Sequence, residues 1–225
     1  MRKFSVILVS LVFLVALDAS AQGVALKSEG LDTAYVSSII KRSQKIVDGL
    51  NITDAQKSEN VRNIIANRYF LLNGIHETCA KKKQYAKDSI QGKGHRQRIM
   101  ESAERRRDAE LYKHHFELEA DLSLYVDAAT IEAVKDGMTY GVVPKTYQAH
   151  LDMIPSLKEE EKAQILAWLK EAREFAIDAE NSNAKHGWFG KYKGRINNWL
   201  SARGYDLVKE REGWYKRIEE AKKKQ

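Results

Sequence analysis

The sequence predicts an all-α fold, a helical bundle with a long protruding antiparallel hairpin of two helices. Three observations lead to this prediction. Apolar residues recur at helical spacing almost throughout the chain, and no segment shows the period-two alternation of a strand. The chain has only two prolines, Pro144 and Pro155, so long helices can run without interruption. Its 225 residues suffice for one domain with a buried core.

The first 21 residues have the organisation of a secretory signal peptide. Arg2 and Lys3 make the start basic, an apolar run covers 4–17, and small residues surround an expected cleavage site after Ala21. The apolar run is short for a membrane span, and no later run approaches spanning length. We therefore expect a periplasmic or secreted protein without an integral membrane segment after cleavage. Residues 22–225 are predicted to form a single all-helical domain.

The helices of the hairpin follow from caps and apolar stripes. A first helix is predicted over 32–48, with Gly49 at its end. The second begins at Thr53, because Thr53 and Gln56 have the spacing of a capping box. The QGKG sequence then breaks the helix, and a third helix over 95–125 is expected to pack against the second as an antiparallel hairpin.

The rest of the chain predicts five further helices. The first covers 128–136 and ends at Gly137, and the second covers 144–153 and begins at Pro144. The third covers 164–179 and follows a capping-box spacing of Ser156 and Glu159. The last two cover 192–202, after an Asn- and Gly-rich turn, and a C-terminal segment that Asp206 opens.

The hairpin tip concentrates the charge. Residues 81–107 hold ten basic and three acidic side chains, so this basic arm carries a net charge of +7 and the rest of the secreted chain is close to neutral. The arm is predicted to bind a polyanion such as an acidic polysaccharide, anionic lipid headgroups or lipopolysaccharide, whereas the export signal argues against nucleic acid. The alternative is a solvated tip that maintains solubility. The residues predicted to bind the polyanion are Lys81, Lys82, Lys83, Arg96, Arg105 and Arg106.

Two segments carry a family resemblance, VKDGMTYGVVPKTYQAHLDMIP (134–155) and KHGWFGKYKGRINNWLSARGYD (185–206), joined by AWLKEAREFAIDA. With LNITDAQK and ANRYFLLNGIHE, they resemble an uncharacterised family of exported bacterial proteins that carries a domain-of-unknown-function label. The resemblance implies sugar binding in glycan utilisation and supplies no catalytic residues. The helix starts are also similar to those of small periplasmic helical chaperones, which leaves a chaperone or adaptor as the alternative.

The segment 186–199 mixes flat aromatic surfaces with polar groups, and tyrosines accompany the Gly137–Pro144 loop. Aromatic faces suit a sugar ring, and Arg195 would anchor a carboxylate through its bidentate fork. The alternative is that the aromatic side chains only seat one helix on the next. The predicted ligand-binding residues, expected to share one cleft if the two segments meet, are Tyr140, Tyr147, His186, Trp188, Tyr192, Arg195 and Asn198.

Common catalytic and metal motifs are absent from the sequence. The six histidines are scattered, and there is no phosphate-binding glycine loop or nucleophile elbow. Glu171 and Glu174 are neighbours on a helix, but Lys170 and Asp178 suggest a solvated face rather than a glycosidase pair. We therefore expect no metal and no cofactor. An enzyme of unrecognised type acting on glycans is the third alternative, and the sequence indicates no oligomeric state.

Overall fold

The computed structural model describes residues 23–223, and these residues form nine helices and no strand. The predicted all-α bundle is therefore confirmed, whereas the predicted signal peptide lies outside the described residues. The helices are α1 (Thr33–Asp48), α2 (Ala55–Ser89), α3 (Lys93–His114), α4 (Glu117–Ser123), α5 (Ala128–Met138), α6 (Val142–Met153), α7 (Glu159–Ile177), α8 (Ser182–Ala202) and α9 (Leu207–Lys223).

Two predicted helix caps are wrong by one or two residues, and the helix predicted over 164–179 begins five residues earlier, at Glu159. The Asp54 carboxylate, and not the Thr53 hydroxyl, caps α2 by accepting a hydrogen bond from the Lys57 N–H at 2.7 Å. At α7 the capping box joins Lys158 and Glu161, since Glu161 accepts from the Lys158 N–H at 3.0 Å. Leu157 is buried and Ser156 lies in the preceding turn, so the cap is Lys158 and not Ser156.

The predicted third helix is interrupted at His115 and Phe116, where α3 ends and α4 begins. The break frees the carbonyl of His114 to accept a hydrogen bond from Arg68 Nη1 at 2.6 Å. It also turns His115 towards Asp178, whose carboxylate accepts from His115 Nδ1 at 2.7 Å. Polar contacts with other parts of the bundle thus stabilise a bend that the apolar pattern did not indicate.

The predicted Asn- and Gly-rich turn before Tyr192 is also wrong, because α8 is continuous from Ser182 to Ala202. Its buried side chains recur at helical spacing and anchor the whole length against α7. The three glycines within it point to open space, so they weaken the helix without breaking it. The buried side chains of α8 are Lys185, Phe189, Ile196 and Leu200.

The described residues form two large apolar cores and a small cluster of Ile39, Ala66 and Phe70 between α1 and α2. One joins α1, α2, α4 and α5 around Ile65 and Leu122, and the other joins α6, α7, α8 and α9 around Leu169 and Ile196. A buried ion pair network connects them. Arg173 of α7, which is 1% exposed, donates to the carboxylates of Glu132 and Asp136 on α5 at 2.6 and 2.8 Å.

The basic arm extends past the small apolar cluster of α1 and α2 that contains Phe70. The ring of Tyr35, in the first turn of α1, lies 5.9 Å from Phe70, and α2 continues to Ser89, ~28 Å farther along its axis. Small buried residues, Ala86 of α2 and Ala103 of α3, let the two helices of the arm pack closely. Within residues 23–223, no helix has the length and apolarity needed to cross a membrane.

Candidate functional site

Aromatic rings and cations form a row along the seam between α7 and α8. Positions 188, 192, 195 and 199 follow one face of α8 because they are separated by three or four residues. Rings of α7 meet this face. We call this surface the aromatic–cation row, and its members are Trp168, Phe175, Trp188, Lys191, Tyr192, Arg195, Trp199 and Arg203.

Ring contacts across the row consolidate the packing of α7 on α8. The rings of Phe175 and Trp188 are stacked with centroids 4.7 Å apart. Trp168 and Trp199 meet nearly at right angles, with centroids 5.2 Å apart. Both arrangements are favourable for aromatic pairs. These aromatic side chains therefore pack one helix on the other, in agreement with the alternative interpretation of the sequence. The three indoles of the row remain half-buried, and Phe175 remains exposed.

Each indole of the row has a cation over its face. Lys191 Nζ lies 4.3 Å from the Trp188 ring centroid, and the guanidinium of Arg203 lies 4.3 Å from that of Trp199. The guanidinium of Arg195 lies 4.4 Å from the centroid of Trp168. These cation–π contacts hold three positive charges at defined positions on an exposed surface.

Glu171 links two members of the row. Its carboxylate lies 3.5 Å from Arg195 Nη1, at the limit of a hydrogen bond. Burial of the Tyr192 phenol and the neighbouring Glu171 carboxylate raise the pKa of Tyr192 to about 12. Arg195 is itself exposed, so its Glu171 contact is weak and open to competition from a ligand carboxylate.

The structure divides the predicted ligand-binding residues. Trp188, Tyr192 and Arg195 lie together in the row, and the exposed Asn198 follows Arg195 by one turn. His186 is two residues before Trp188 and therefore points to another side of α8. There it stacks on Tyr140, while the remaining member of the predicted set, Tyr147, packs half-buried in the core of α6–α9.

The Tyr140–His186 pair lies beside a group that the sequence reasoning missed. Lys185 is 5% exposed and donates hydrogen bonds to the carbonyls of Met138 and Ile177 at 3.1 and 3.2 Å. Burial lowers the pKa of Lys185 to about 8, although the charge of Asp178 acts in the opposite direction. The sequence signal for this buried lysine is its position, since Lys185 precedes the buried Phe189 by four residues, about one helical turn.

Tyr69 and Arg42 complete this second cluster. The Lys185 Nζ lies 5.8 Å from the Tyr69 ring centroid, and the Arg42 guanidinium lies 5.6 Å from it. Burial raises the pKa of Tyr69 to about 12. We call the cluster the junction site, because α1, α2, the α5–α6 turn and α8 meet there. Its members are Arg42, Tyr69, Tyr140, Lys185 and His186.

Asp178 organises a buried polar group and does not lie on the solvated face that the sequence suggested. Its carboxylate accepts hydrogen bonds from Arg68 Nη2 at 2.5 Å and from His115 Nδ1 at 2.7 Å. Its backbone carbonyl accepts from His76 Nε2 at 2.8 Å. Glu174 likewise accepts from the buried Lys135 at 3.1 Å. Within residues 23–223, no three His, Cys, Asp or Glu side chains are arranged to hold a metal ion.

Several basic side chains of the basic arm form ion pairs with neighbouring carboxylates. Lys81 pairs with Glu77 at 3.3 Å, Arg105 lies 3.8 Å from Glu101, and Lys83 pairs with Glu104. Arg96 instead donates to the carbonyl of Ile90 at 3.3 Å and closes the turn at the tip. The exposed basic side chains of the arm that form no ion pair with any of residues 23–223 are Lys82, Lys87, Lys93, Arg98 and Arg106.

Two surface depressions lie away from both clusters. One, of about 570 Å³, is lined by the α1–α2 turn at 50–54 and the α4–α5 turn at 123–127. The other, of about 370 Å³, is mainly apolar and lies between 28–31 and α1. Neither contains a residue predicted to bind a ligand. The candidate surfaces are therefore an exposed row and a helix junction, and not a deep cleft.

These features define an all-α helical-bundle protein with an aromatic–cation surface on one helix pair and a basic arm on another. The chain belongs to the DUF3826 family of proteins of unknown function, which matches residues 36–220. No curated protein matches the chain. The family membership confirms the domain-of-unknown-function part of the resemblance, whereas export and sugar binding stay predictions.

Proposed function

We propose that this protein is an exported accessory protein of glycan utilisation that binds acidic oligosaccharides along the aromatic–cation row. The observation that carries the proposal is the placement of three cations over three indole rings on one exposed seam. The proposal keeps Trp188, Tyr192, Arg195 and Asn198 as ligand-binding residues and separates them from the Tyr140–His186 pair.

The occupied ring faces favour an acidic over a neutral sugar. Phe175 stacks on Trp188, and Lys191 lies over the same indole. A neutral pyranose that stacked there would displace an existing contact. A uronate carboxylate would instead meet Lys191 or Arg195 directly, in a charge-assisted hydrogen bond.

The spacing of the cations suits an extended polymer. The α-carbons of Lys191 and Arg195 are four residues apart on α8, a rise of ~6 Å along its axis, and Arg203, the residue that caps α8, follows Arg195 by a further ~12 Å of backbone rise. Such steps are comparable with the repeat of a pyranose chain. The exposed amide of Asn198, between these cations, offers donors and an acceptor to sugar hydroxyls.

Arg195 is the most informative residue to change. Its guanidinium is oriented by the Trp168 ring, whose centroid lies 4.4 Å away, so little side-chain freedom would be lost on binding. We expect Arg195→Gln to weaken binding of an oligogalacturonate by about tenfold, the effect of losing one charge-assisted hydrogen bond. Isothermal titration measures the affinity, and Lys216→Gln, an exposed lysine on α9, is the matched control.

A second candidate function is an adaptor that binds anionic surfaces through the basic arm, and the five cations without ion pairs favour it. The same titration separates the two. Binding that survives Arg195→Gln, is lost in a Lys82→Gln, Lys87→Gln, Arg98→Gln triple variant and falls steeply with salt would contradict binding at the row and support the adaptor. Equal binding of a neutral oligosaccharide of the same length would also contradict the proposal.

A further inference from the structure

The turn between α5 and α6 places an aromatic residue where glycine is the usual choice. The N–H of Gly141 donates to the carbonyl of Asp136 at 2.8 Å, and the N–H of Tyr140 donates to that of Gly137 at 3.3 Å. This is the Schellman pattern, in which the residue at the Tyr140 position adopts a left-handed backbone. Tyr140 does so, with φ of 63°. A bulky side chain is unfavourable there, and such strain concentrates at functional positions.

The Tyr140 ring is displayed at the surface and is not used to fill a core. It is 44% exposed and stacks on the exposed His186 with ring centroids 5.6 Å apart and planes 17° apart. Lys145 extends to the same turn and donates to the Tyr140 carbonyl at 3.2 Å. The strained backbone therefore presents a flat ring that stacks on His186, and Lys145 is bonded to the same turn.

The floor of the junction site is positively charged. Arg42 is exposed and pairs with no carboxylate among residues 23–223, and its guanidinium lies over the Tyr69 ring. Lys185, whose Nζ lies 5.8 Å from the centroid of that ring, is bound only by backbone carbonyls. The Tyr69 hydroxyl forms no hydrogen bond with any described residue, so it is free to donate. Around the Tyr69 ring, Arg42 and Lys185 supply positive charge, and the Tyr69 hydroxyl supplies a hydrogen-bond donor.

We propose that the junction site binds a carboxylate carried on a ring, with the carboxylate held by Arg42 and the Tyr69 hydroxyl and the ring laid against Tyr140. An arginine fork and a phenol are complementary to a carboxylate, and an aromatic face accepts either a pyranose or an aromatic ring. The ligand is thus a uronic acid or an aromatic acid. This site is independent of the aromatic–cation row, because Tyr140 and His186 lie on another side of α8.

Isothermal titration of the whole protein with galacturonate, benzoate and glucose tests the proposal. We expect galacturonate or benzoate to bind and glucose not to bind. The acid that binds more tightly shows whether the ring of the ligand is a sugar or an aromatic ring. Arg42→Gln should weaken this binding by at least about tenfold, whereas Lys45→Gln, another exposed basic residue of α1, should not change it.

Tyr140→Gly separates a ligand-binding ring from a merely structural one. Glycine adopts the left-handed backbone without strain, so the variant should retain or raise the melting temperature while the affinity for the acid falls about tenfold. Tyr140→Phe, which keeps the ring, should bind as the unchanged protein does. The proposal is overturned if neither acid binds, if Arg42→Gln and Tyr140→Gly bind normally, or if Arg195→Gln abolishes binding in their place.

Discussion

Lys185 shows at the scale of one residue how burial determines chemistry. Its ammonium group donates to Met138 and Ile177, which are the last residues of α5 and α7. A positive charge at helix C-termini is favourable, yet removing it from water is costly. The register of Lys185 with Phe189 indicates the buried face of α8, but the sequence could not indicate its partners, because lysines are rarely buried and the two carbonyls end helices other than α8.

This burial predicts a rise in stability with pH. The folded protein releases the Lys185 proton near pH 8, whereas the unfolded chain retains it up to its ordinary pKa of 10.5. Between these values the unfolded state binds more protons, so the contribution of Lys185 to the free energy of unfolding increases with pH. The full change is about 3 kcal/mol. Tyr69, whose folded pKa is raised from 10.0 to about 12, acts in the opposite sense above pH 10.

Urea unfolding at pH 7.5, 8.5 and 9.5 measures the effect. We expect Lys185 to make the free energy of unfolding rise with pH over this range. Lys185→Met should remove the part of this slope that comes from Lys185. The slope is the relevant quantity, because the substitution also changes the stability at every pH. An identical slope in the two proteins would show that Lys185 does not lose its proton in this window.

At the scale of single elements, α8 shows how tertiary packing overrides local sequence. The Asn and Gly residues before Tyr192 predicted a turn, but the buried positions 185, 189, 196 and 200 keep one helical face against the rest of the bundle. The basic arm is the opposite case. Its scarcity of apolar residues predicted a projecting tip and its charge a basic surface, but the register of α2 against α3, which pairs Lys83 with Glu104, decides which cations are free.

The glycines of α8 and α5 predict opposite effects of one substitution. A Cβ added at Gly190 meets open space, so Gly190→Ala should stabilise the protein by about 0.5–1 kcal/mol through helix propensity. A Cβ added at Gly137 of α5 would lie 2.8 Å from Ile46 Cγ2, so Gly137→Ala should destabilise it. Thermal unfolding distinguishes the two, and similar shifts for both variants would contradict the packing of α5 on α1.

At the scale of the whole molecule, the fold class and the hairpin could be predicted because helical periodicity and charge are local properties of the sequence. The same periodicity already aligned Trp188, Tyr192 and Arg195 on one face of α8. Their partners could not be predicted. Trp168 and Phe175 belong to α7, and only the packing of α7 on α8 brings their rings to the row while His186 turns towards Tyr140.

The indole N–H signals test the central claim, acidic oligosaccharide binding at the row, most directly. The chain has four tryptophans, and only Trp214, which stacks on Tyr215 in α9, lies outside the row. In a two-dimensional NMR titration with oligogalacturonate, we predict saturable shifts for Trp168, Trp188 and Trp199 and none for Trp214. Shifts confined to backbone amides of the basic arm, or no shifts at all, would contradict the account.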